Sequence, residues 1–430
     1  VSAPAAVDVF DPAIFARGIP HAAFRVLRDE DPVAWQEEHP VGEWPAGSGY
    51  WAVTRYEDVR TVLGAAADFS SWAGATQIRD PEPEDLPHVR RMILNMDAPE
   101  HLRLRRLVTA AFANRRLERF AASVAARARA LLRGVAADGA CDLPIDITDD
   151  FPLANLAELL GMPAEDRRLL LRWTNRVIGY QDPEHGEVLR DDGGRPVNPR
   201  SPAALADLFA YADALAERKR RAPADDVMSA LVQAEVDGER LAAEELRMFF
   251  FLLVIAGTDT TRSALPGGVL ALAEHPDAYR RLRADPGLLA PAIEEMLRWH
   301  PPVLSFRRTA TRDLELGGRP IAAGDKVVVY HVSAHYDERE FADPFRFDVA
   351  RTPNRHLAFG HGAHKCLGAH FARLQMHAFF TEFLRGLPEV ELDGPVTRLT
   401  SNFINGINHL PLRWAPPAPA WRHADPRSVV

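Results

Sequence analysis

The sequence predicts a mainly α fold with small β-sheets, and three features of its 430 residues carry that expectation. Thirty-four prolines cluster between long stretches of helical spacing, so helices alternate with Pro-bounded turns. One helical pattern, from about Leu241 to His275, opens with Glu244-Glu245 and closes before Pro276. At 1.5 Å per residue it would run roughly 50 Å, enough to cross a whole domain. Strand signals, by contrast, are confined to short segments. A hydrophobic content of 47% supplies a large core.

Taken in order, Tyr50 to Val53 alternates as a strand and leads into a short helical pattern. Two stretches read as long functional loops: Ser70 to Asn95, with Asp80-Pro81-Glu82-Pro83, and Tyr180 to Pro202, with Asp191-Asp192-Gly193-Gly194. The long helix is apolar nearly all round between Met248 and Ile255, which places it at the centre of the molecule. Immediately afterwards stand Gly257, Thr258, Asp259, Thr260 and Thr261, poor helix formers with a carboxylate in what should be core. Pro266 lacks an N–H and is expected to kink this helix. Lys326 to Tyr330 is rich in β-branched residues and follows Gly324-Asp325, so it reads as a strand. Leu367 to Leu384 has amphipathic helical spacing. Domain boundaries fall at 1–415 for the folded unit and 416–430 for a Pro/Ala-rich tail.

Composition excludes several classes. With 26% charged and 8% aromatic residues and no long biased tract, the chain is neither collagen-like, coiled-coil nor disordered. Lys plus Arg at 51 against Asp plus Glu at 60 gives a net charge of −9, which argues against a general nucleic-acid binder. Two cysteines, Cys141 and Cys366, cannot build a disulfide framework and point to a reducing cytosol. Val1 to Phe10 has no basic targeting region, and the apolar run Met248 to Ala256 is about half a membrane span. The expectation is a soluble, cytoplasmic protein with no membrane anchor.

Chemistry concentrates in Phe359-Gly360-His361-Gly362-Ala363-His364-Lys365-Cys366-Leu367-Gly368. Two glycines allow a tight turn, and Cys366 then stands where a helix begins, where free N–H groups and a positive partial charge favour a thiolate. Gly368 would let a flat ligand approach the backbone, and Phe359 could shield the sulfur from water. Three readings compete for Cys366: a buried structural thiol, a zinc site with His361, His364 and His370, and a single thiolate ligand to haem iron. The zinc spacing matches no usual pattern.

Those ten residues resemble the haem-binding signature of the cytochrome P-450 family, in which the cysteine is the proximal iron ligand. The resemblance covers roughly Asp97 to Leu412. It implies a cytochrome P-450-type domain around a buried haem b, with Cys366 as the metal ligand. Ala256-Gly257-Thr258-Asp259-Thr260-Thr261 resembles the family's distal-pocket motif, in which the small pair leaves room for O2 and Asp259 with Thr260 forms an acid–alcohol pair that relays protons. Set against this, a buried Thr commonly bonds back to its own helix. Glu295 and Arg298 share a helix face, a spacing that usually gives a surface ion pair of little worth. In the family this Glu-x-x-Arg is buried and completed by a second arginine, here Arg346 or Arg351. Asp97-Ala98-Pro99-Glu100 has a capping-box pattern, opening a helix on which His101 and Arg105 lie four apart. His101, Arg105, Arg308 and His364 resemble the family's propionate contacts, although any one arginine taken alone is more often a solvated surface charge.

Arg103, Arg105, Arg106, Arg115, Arg116 and Arg119 form a basic stripe against Glu118 alone. In the family the corresponding surface docks an acidic redox partner. With no flavin or iron–sulfur segment in the chain, the implied reductant is separate, a ferredoxin with its reductase drawing on NAD(P)H. The implied activity is a monooxygenase that hydroxylates a hydrophobic small molecule, acting as a monomer. The expected pocket walls are the two long loops, Val254 to Thr258, Val303 to Phe306 and Phe403 to Ile407. Phe306 to Asp313 and Ser401 to Ile407 are similar to bacterial members that hydroxylate terpenoids, steroid side chains or methyl-branched lipids. Oxidation of a polyketide or other secondary metabolite, a peroxide-driven enzyme, and a haem-thiolate protein that binds gas without turnover are the rival readings.

Overall fold

The computed structural model describes residues 7–42, 44–184, 190, 193–194, 197–199 and 201–415. The tail predicted over 416–430 and part of the second predicted loop lie outside the described residues. The fold is mainly α with small sheets, as the sequence predicts.

A helix of 32 residues, Ala243–Glu274, forms the spine. Glu245 accepts the free N–H of Ala242 (2.8 Å) and so closes its first turn. The weak helix formers after Gly257 do not break it. The Thr260 and Ser263 hydroxyls donate back to the carbonyls of Ala256 (2.7 Å) and Asp259 (2.8 Å). Helix also continues through Pro266, and the two glycines that follow explain themselves by contact. A Cβ on Gly267 would sit 2.1 Å from the His300 ring, and one on Gly268 2.7 Å from Phe380. The segment thus trades helix propensity, about 1 kcal/mol per glycine, for close packing against its neighbours. Among the described residues this is also the one helix long and apolar enough to cross a membrane, and most of it is buried inside the protein.

Around the spine pack Asp150–Leu160, Arg167–Ile178, Ala206–Arg221, Leu289–Trp299 and Ala369–Gly386. Phe379, Phe380 and Phe383 are fully buried on the last of these. Arg129 of Ala121–Ala136 grips Glu382 through both oxygens (2.7 and 3.0 Å), joining that helix to the same wall. A five-stranded mixed sheet closes one side, in the order Val33–Gln36, Tyr50–Val53, Lys326–Tyr330, Ser305–Ala310, Phe69–Ser70. Both predicted strands appear with their predicted bounds and pair with each other in parallel, Val328 opposite Ala52. Along Ser305–Ala310 the side chains alternate. Phe306 and Arg308 face a large cavity, whereas Arg307 turns to the 70–95 loop and donates to Asp80 (2.6 Å).

Glu295 and Arg298 are not a surface pair. Both side chains are 0% exposed and bonded through two contacts of 2.7 and 2.8 Å. Arg351, not Arg346, completes the cluster, donating to Glu295 at 3.0 Å, while Arg346 offers only its carbonyl to Arg351 (2.9 Å). Asn354 and the Asp348 N–H also donate to Glu295, at 3.0 Å each. Arg298 reaches onward to the His335 carbonyl (2.8 Å). Such a network satisfies the charges that burial would otherwise leave exposed to a low-dielectric interior.

Candidate active site

The loop before Ala369–Gly386 turns as its glycines require. Gly360 and Gly362 adopt φ of +69° and +72°, and a Cβ on Gly362 would come within 2.6 Å of the Leu63 carbonyl. Cys366 is fixed by its own N–H, which donates to the Phe359 carbonyl (2.8 Å). The Gly368 N–H bonds to the Cys366 sulfur. The expected ease of thiolate formation is not met by the protein surroundings alone. Burial pushes the Cys366 thiol up, outweighing the Gly368 N–H and, more weakly, the charges of Arg105 and Arg373. A Cβ on Gly368 would meet nothing nearer than the Cys366 sulfur at 4.0 Å, so the backbone there is open to a flat group.

Cys366 lines a solvent-connected cavity whose open space, bulk solvent at its mouth included, amounts to about 1630 Å³. Thr260, His101, Arg105, Arg308, Phe359, His364, Cys366 and Gly368 all line it. Leu252, Leu253, Ala256 and Thr260 of the spine line it as well. Gly257 lines the cavity beside Ala256 and serves a second neighbour as well: a Cβ there would lie 3.1 Å from Leu156, so its lack of a side chain lets two helices meet.

Along one edge of the cavity gather groups that call for an anion. Arg308 is 4% exposed and donates to the Arg307 carbonyl (2.8 Å); burial pulls it down to about 10, with Asp97 opposing. Arg105 donates to the Lys365 carbonyl (2.7 Å). Among the described residues neither arginine forms an ion pair with a carboxylate. The His101 and His364 rings lie 4.1 Å apart. Burial and the nearby arginines lower both, His364 to about 3, so both are neutral near pH 7. The capping box predicted for this helix does not form. Asp97 instead accepts from the Ser70 hydroxyl and the Ser71 N–H (2.8 Å), and only its backbone carbonyl joins the helix, through His101 N–H (2.9 Å).

Asp259 is the one predicted site residue that does not face this cavity. Neighbours on an α-helix point about 100° apart, so Thr260 faces the cavity and Asp259 does not. The Asp259 carboxylate is 7% exposed and pairs with Arg262 (3.1 Å), which also holds Asp149 (2.8 Å). Burial would lower Arg262, but Asp259 and Asp149 outweigh it and hold the guanidinium charged. These residues line a separate small cavity with Asn175. Arg262 and Asp149 were not singled out from sequence. An i,i+3 Asp–Arg spacing in an otherwise apolar helix was the available signal for the first; nothing local marked the second.

An apolar pocket adjoins the cavity and shares Leu252, Ala256, Thr260, Val303 and Phe306 with it. Its walls come from the 70–95 segment, Asn198 and Pro199, the spine, Val303, Phe306, Phe403 and Ile404, as the sequence predicts. Val177, Ile178, Met248 and Phe251 also contribute and were not foreseen. The basic stripe is not a bare face. Arg103 pairs with Glu100 (3.0 Å) and Glu245, Arg106 with Asp237 (3.6 Å), and Arg116 (3.1 Å) and Arg119 with Asp225, while Arg105 turns into the cavity. Acids from elsewhere in the chain thus offset part of the run.

A cytochrome P450 family model matches residues 196–286 and 287–398. The steroid C26-monooxygenase of Mycobacterium tuberculosis is 37% identical over 414 residues, covering 94% of this chain and 92% of the relative. The methyl-branched lipid omega-hydroxylase of the same organism is 42% identical over 398 residues, covering 91% of this chain and 90% of the relative. A Mycobacterium marinum cytochrome P450 solved in complex with pseudoionone superposes with a TM-score of 0.84 at 34% identity, over 96% of this chain and all of that one. Likeness of this extent, on a fold with a cavity that opens onto Cys366, shows that the chain belongs to the cytochrome P450 family and is a monooxygenase of that family.

Proposed function

We propose that Cys366 is the thiolate ligand of the haem that the family carries, and that the enzyme hydroxylates a hydrophobic molecule of the steroid, terpenoid or methyl-branched lipid class. The observation that carries this is the joining of Cys366, Arg105, Arg308 and Thr260 in one cavity continuous with an apolar pocket. A planar apolar group with two carboxylates fits it. Leu252 and Leu253 supply the apolar wall, Gly368 the open backbone, and two arginines without carboxylate partners the anion contacts. When bound, haem iron with a sulfur ligand supplies O2 activation and the oxidising power to break an unactivated C–H bond.

The chain's own residues then have distinct tasks. Cys366 donates its sulfur, held in place by the Phe359 carbonyl and the Gly368 N–H. Arg105 and Arg308 hold the carboxylates, with neutral His101 and His364 as further donors. Thr260 keeps its hydroxyl proton on the Ala256 carbonyl, which leaves the Oγ1 lone pairs to accept a hydrogen bond from a cavity water and so hold that water in place as the proton donor. Asp259, clamped by Arg262, holds charge on the far side of the spine, where water can bring protons. The apolar pocket excludes other water from the substrate. Residues 1–415 form the catalytic domain. Electrons come from a redox partner, in our reading a ferredoxin with its NAD(P)H-dependent reductase, and the enzyme works as a cytoplasmic monomer.

An optical titration of the ferric protein tests the assignment. A thiolate-type Soret band is expected, shifting toward high spin with steroids or methyl-branched lipids and not with straight-chain fatty acids. Absence of that band in haem-reconstituted protein would overturn the ligand assignment; a shift with polyketides alone would overturn the substrate class. Thr260→Ala is expected to lower product formed per electron pair by about tenfold while substrate still shifts the Soret band. Unchanged coupling would remove Thr260 from proton delivery. Arg308→Ala is expected to weaken haem retention by about tenfold to a hundredfold, read by transfer to apomyoglobin, since a charge-assisted hydrogen bond is worth about 1.5–3 kcal/mol.

A further inference from the structure

The Cys366 loop rests on a second ion cluster, distinct from the Glu295 network although it starts from the adjacent residue. Glu294 accepts both prongs of the Arg373 guanidinium (2.7 Å each) and the His356 ring (3.0 Å). His356 Nδ1 accepts the Ala358 N–H (3.2 Å), so the proton on Nε2 is the one directed at Glu294. The fork leaves the Arg373 guanidinium fixed 4.3 Å from the centroid of the Phe359 ring. Phe359 lines the cavity, and its carbonyl holds the Cys366 N–H (2.8 Å). A positive charge is thereby held against the ring of the residue whose carbonyl anchors Cys366.

We propose that Arg373, oriented by Glu294, is a positioning residue that sets the electron density at Cys366, with cation and carboxylate acting in opposite directions on the reduction potential of the bound haem. This rests on Cys366 being the iron ligand. Two observations support it. Glu294 and Glu295 are neighbours, yet Glu295 already ties the helix to the 343–354 segment, leaving Glu294 free to serve the cysteine loop. Bidentate geometry fixes the guanidinium plane against the ring, which a clamp serving stability alone does not require. A cation near the sulfur stabilises added electron density on iron, so its removal disfavours reduction. Removing the carboxylate leaves the cation uncompensated and favours reduction. The pair is partly open to solvent, with side chains 40% and 26% exposed, so the effects are screened.

The test is spectroelectrochemical titration of the purified holoenzyme and three variants. At a fixed potential near the midpoint, Arg373→Met is expected to lower the ratio of ferrous to ferric protein by about fivefold and Glu294→Gln to raise it by a similar factor. Arg373→Lys, which keeps the charge, is expected to restore most of the loss. Shifts of the same sign in Arg373→Met and Glu294→Gln, or none in either, would overturn the proposal, because a merely structural clamp responds alike to losing either half. If Arg373→Met fails to fold, the upward shift in Glu294→Gln and the near-native potential of Arg373→Lys decide it alone. A native thiolate-type Soret band with unmoved potentials removes only this inference; a missing band in the unmodified protein removes the ligand assignment itself.

Discussion

Cys366→Ala is expected to abolish both the thiolate-type Soret band and hydroxylation, while the protein keeps its helical content. Cys141, the other cysteine, sits on the Ala140–Asp142 strand, paired with Pro411–Trp414 and absent from the cavity lining. Burial pushes its thiol up to about 12 and two nearby aspartates add to the shift, whereas at Cys366 the Gly368 N–H and two arginines act against burial. His361 and His364 also line the cavity and could bind iron as imidazoles, but an imidazole does not donate electron density as a thiolate does. The expected variant therefore binds haem weakly, shows a histidine-type or five-coordinate spectrum, and turns over at background. Circular dichroism and the carbon monoxide difference spectrum check this together. Retention of the thiolate-type band would move the ligand to Cys141 and contradict the site as built here.

Glu295→Ala is expected to destabilise the protein by about 3–5 kcal/mol, the cost of leaving buried charge without its partner. Arg298 is fully buried, and Arg351, Asn354 and the Asp348 N–H lose the same acceptor at once. Against a total stability of about 5–15 kcal/mol, that loss is enough to collapse the yield of folded, haem-loaded protein. Glu295→Gln retains an acceptor oxygen and is expected to fall between. Arg346→Ala supplies the contrast: it removes a side chain that does not touch Glu295, and its effect on denaturation should be within about 0.5 kcal/mol. Equal destabilisation by Arg346→Ala and Arg351→Ala would sink the assignment of Arg351 to the cluster.

How much of the site was legible depended on how local its chemistry is. The glycine-flanked Cys366 loop could be read because a tight turn before a helix demands its residues in consecutive order. The pocket walls were read as segments, but Val177 and Ile178 were missed because an amphipathic helix shows which face is buried and not what it is buried against. Asp97 to Glu100 misled for a related reason. Its capping pattern is real, yet Ser70 and Ser71, brought alongside by the fold, take the Asp97 carboxylate first. The basic stripe was legible as a run of arginines, but not the acids that the fold sets beside it, Asp225, Asp237 and Glu245.

By itself the sequence determined the mainly α architecture, the two strands at Tyr50–Val53 and Lys326–Tyr330, the length of the spine and the cysteine loop. These depend on periodicity, turn residues and backbone freedom within a few positions. Only the tertiary structure decided that Arg351 rather than Arg346 meets Glu295, that Asp259 turns to Arg262 and Asp149 while Thr260 faces the cavity, and that Arg373 lies against Phe359. Each of those outcomes is a choice among several partners of suitable charge. Charge attraction is nondirectional, so the partner is selected by which groups the packed helices bring within reach and shield from water.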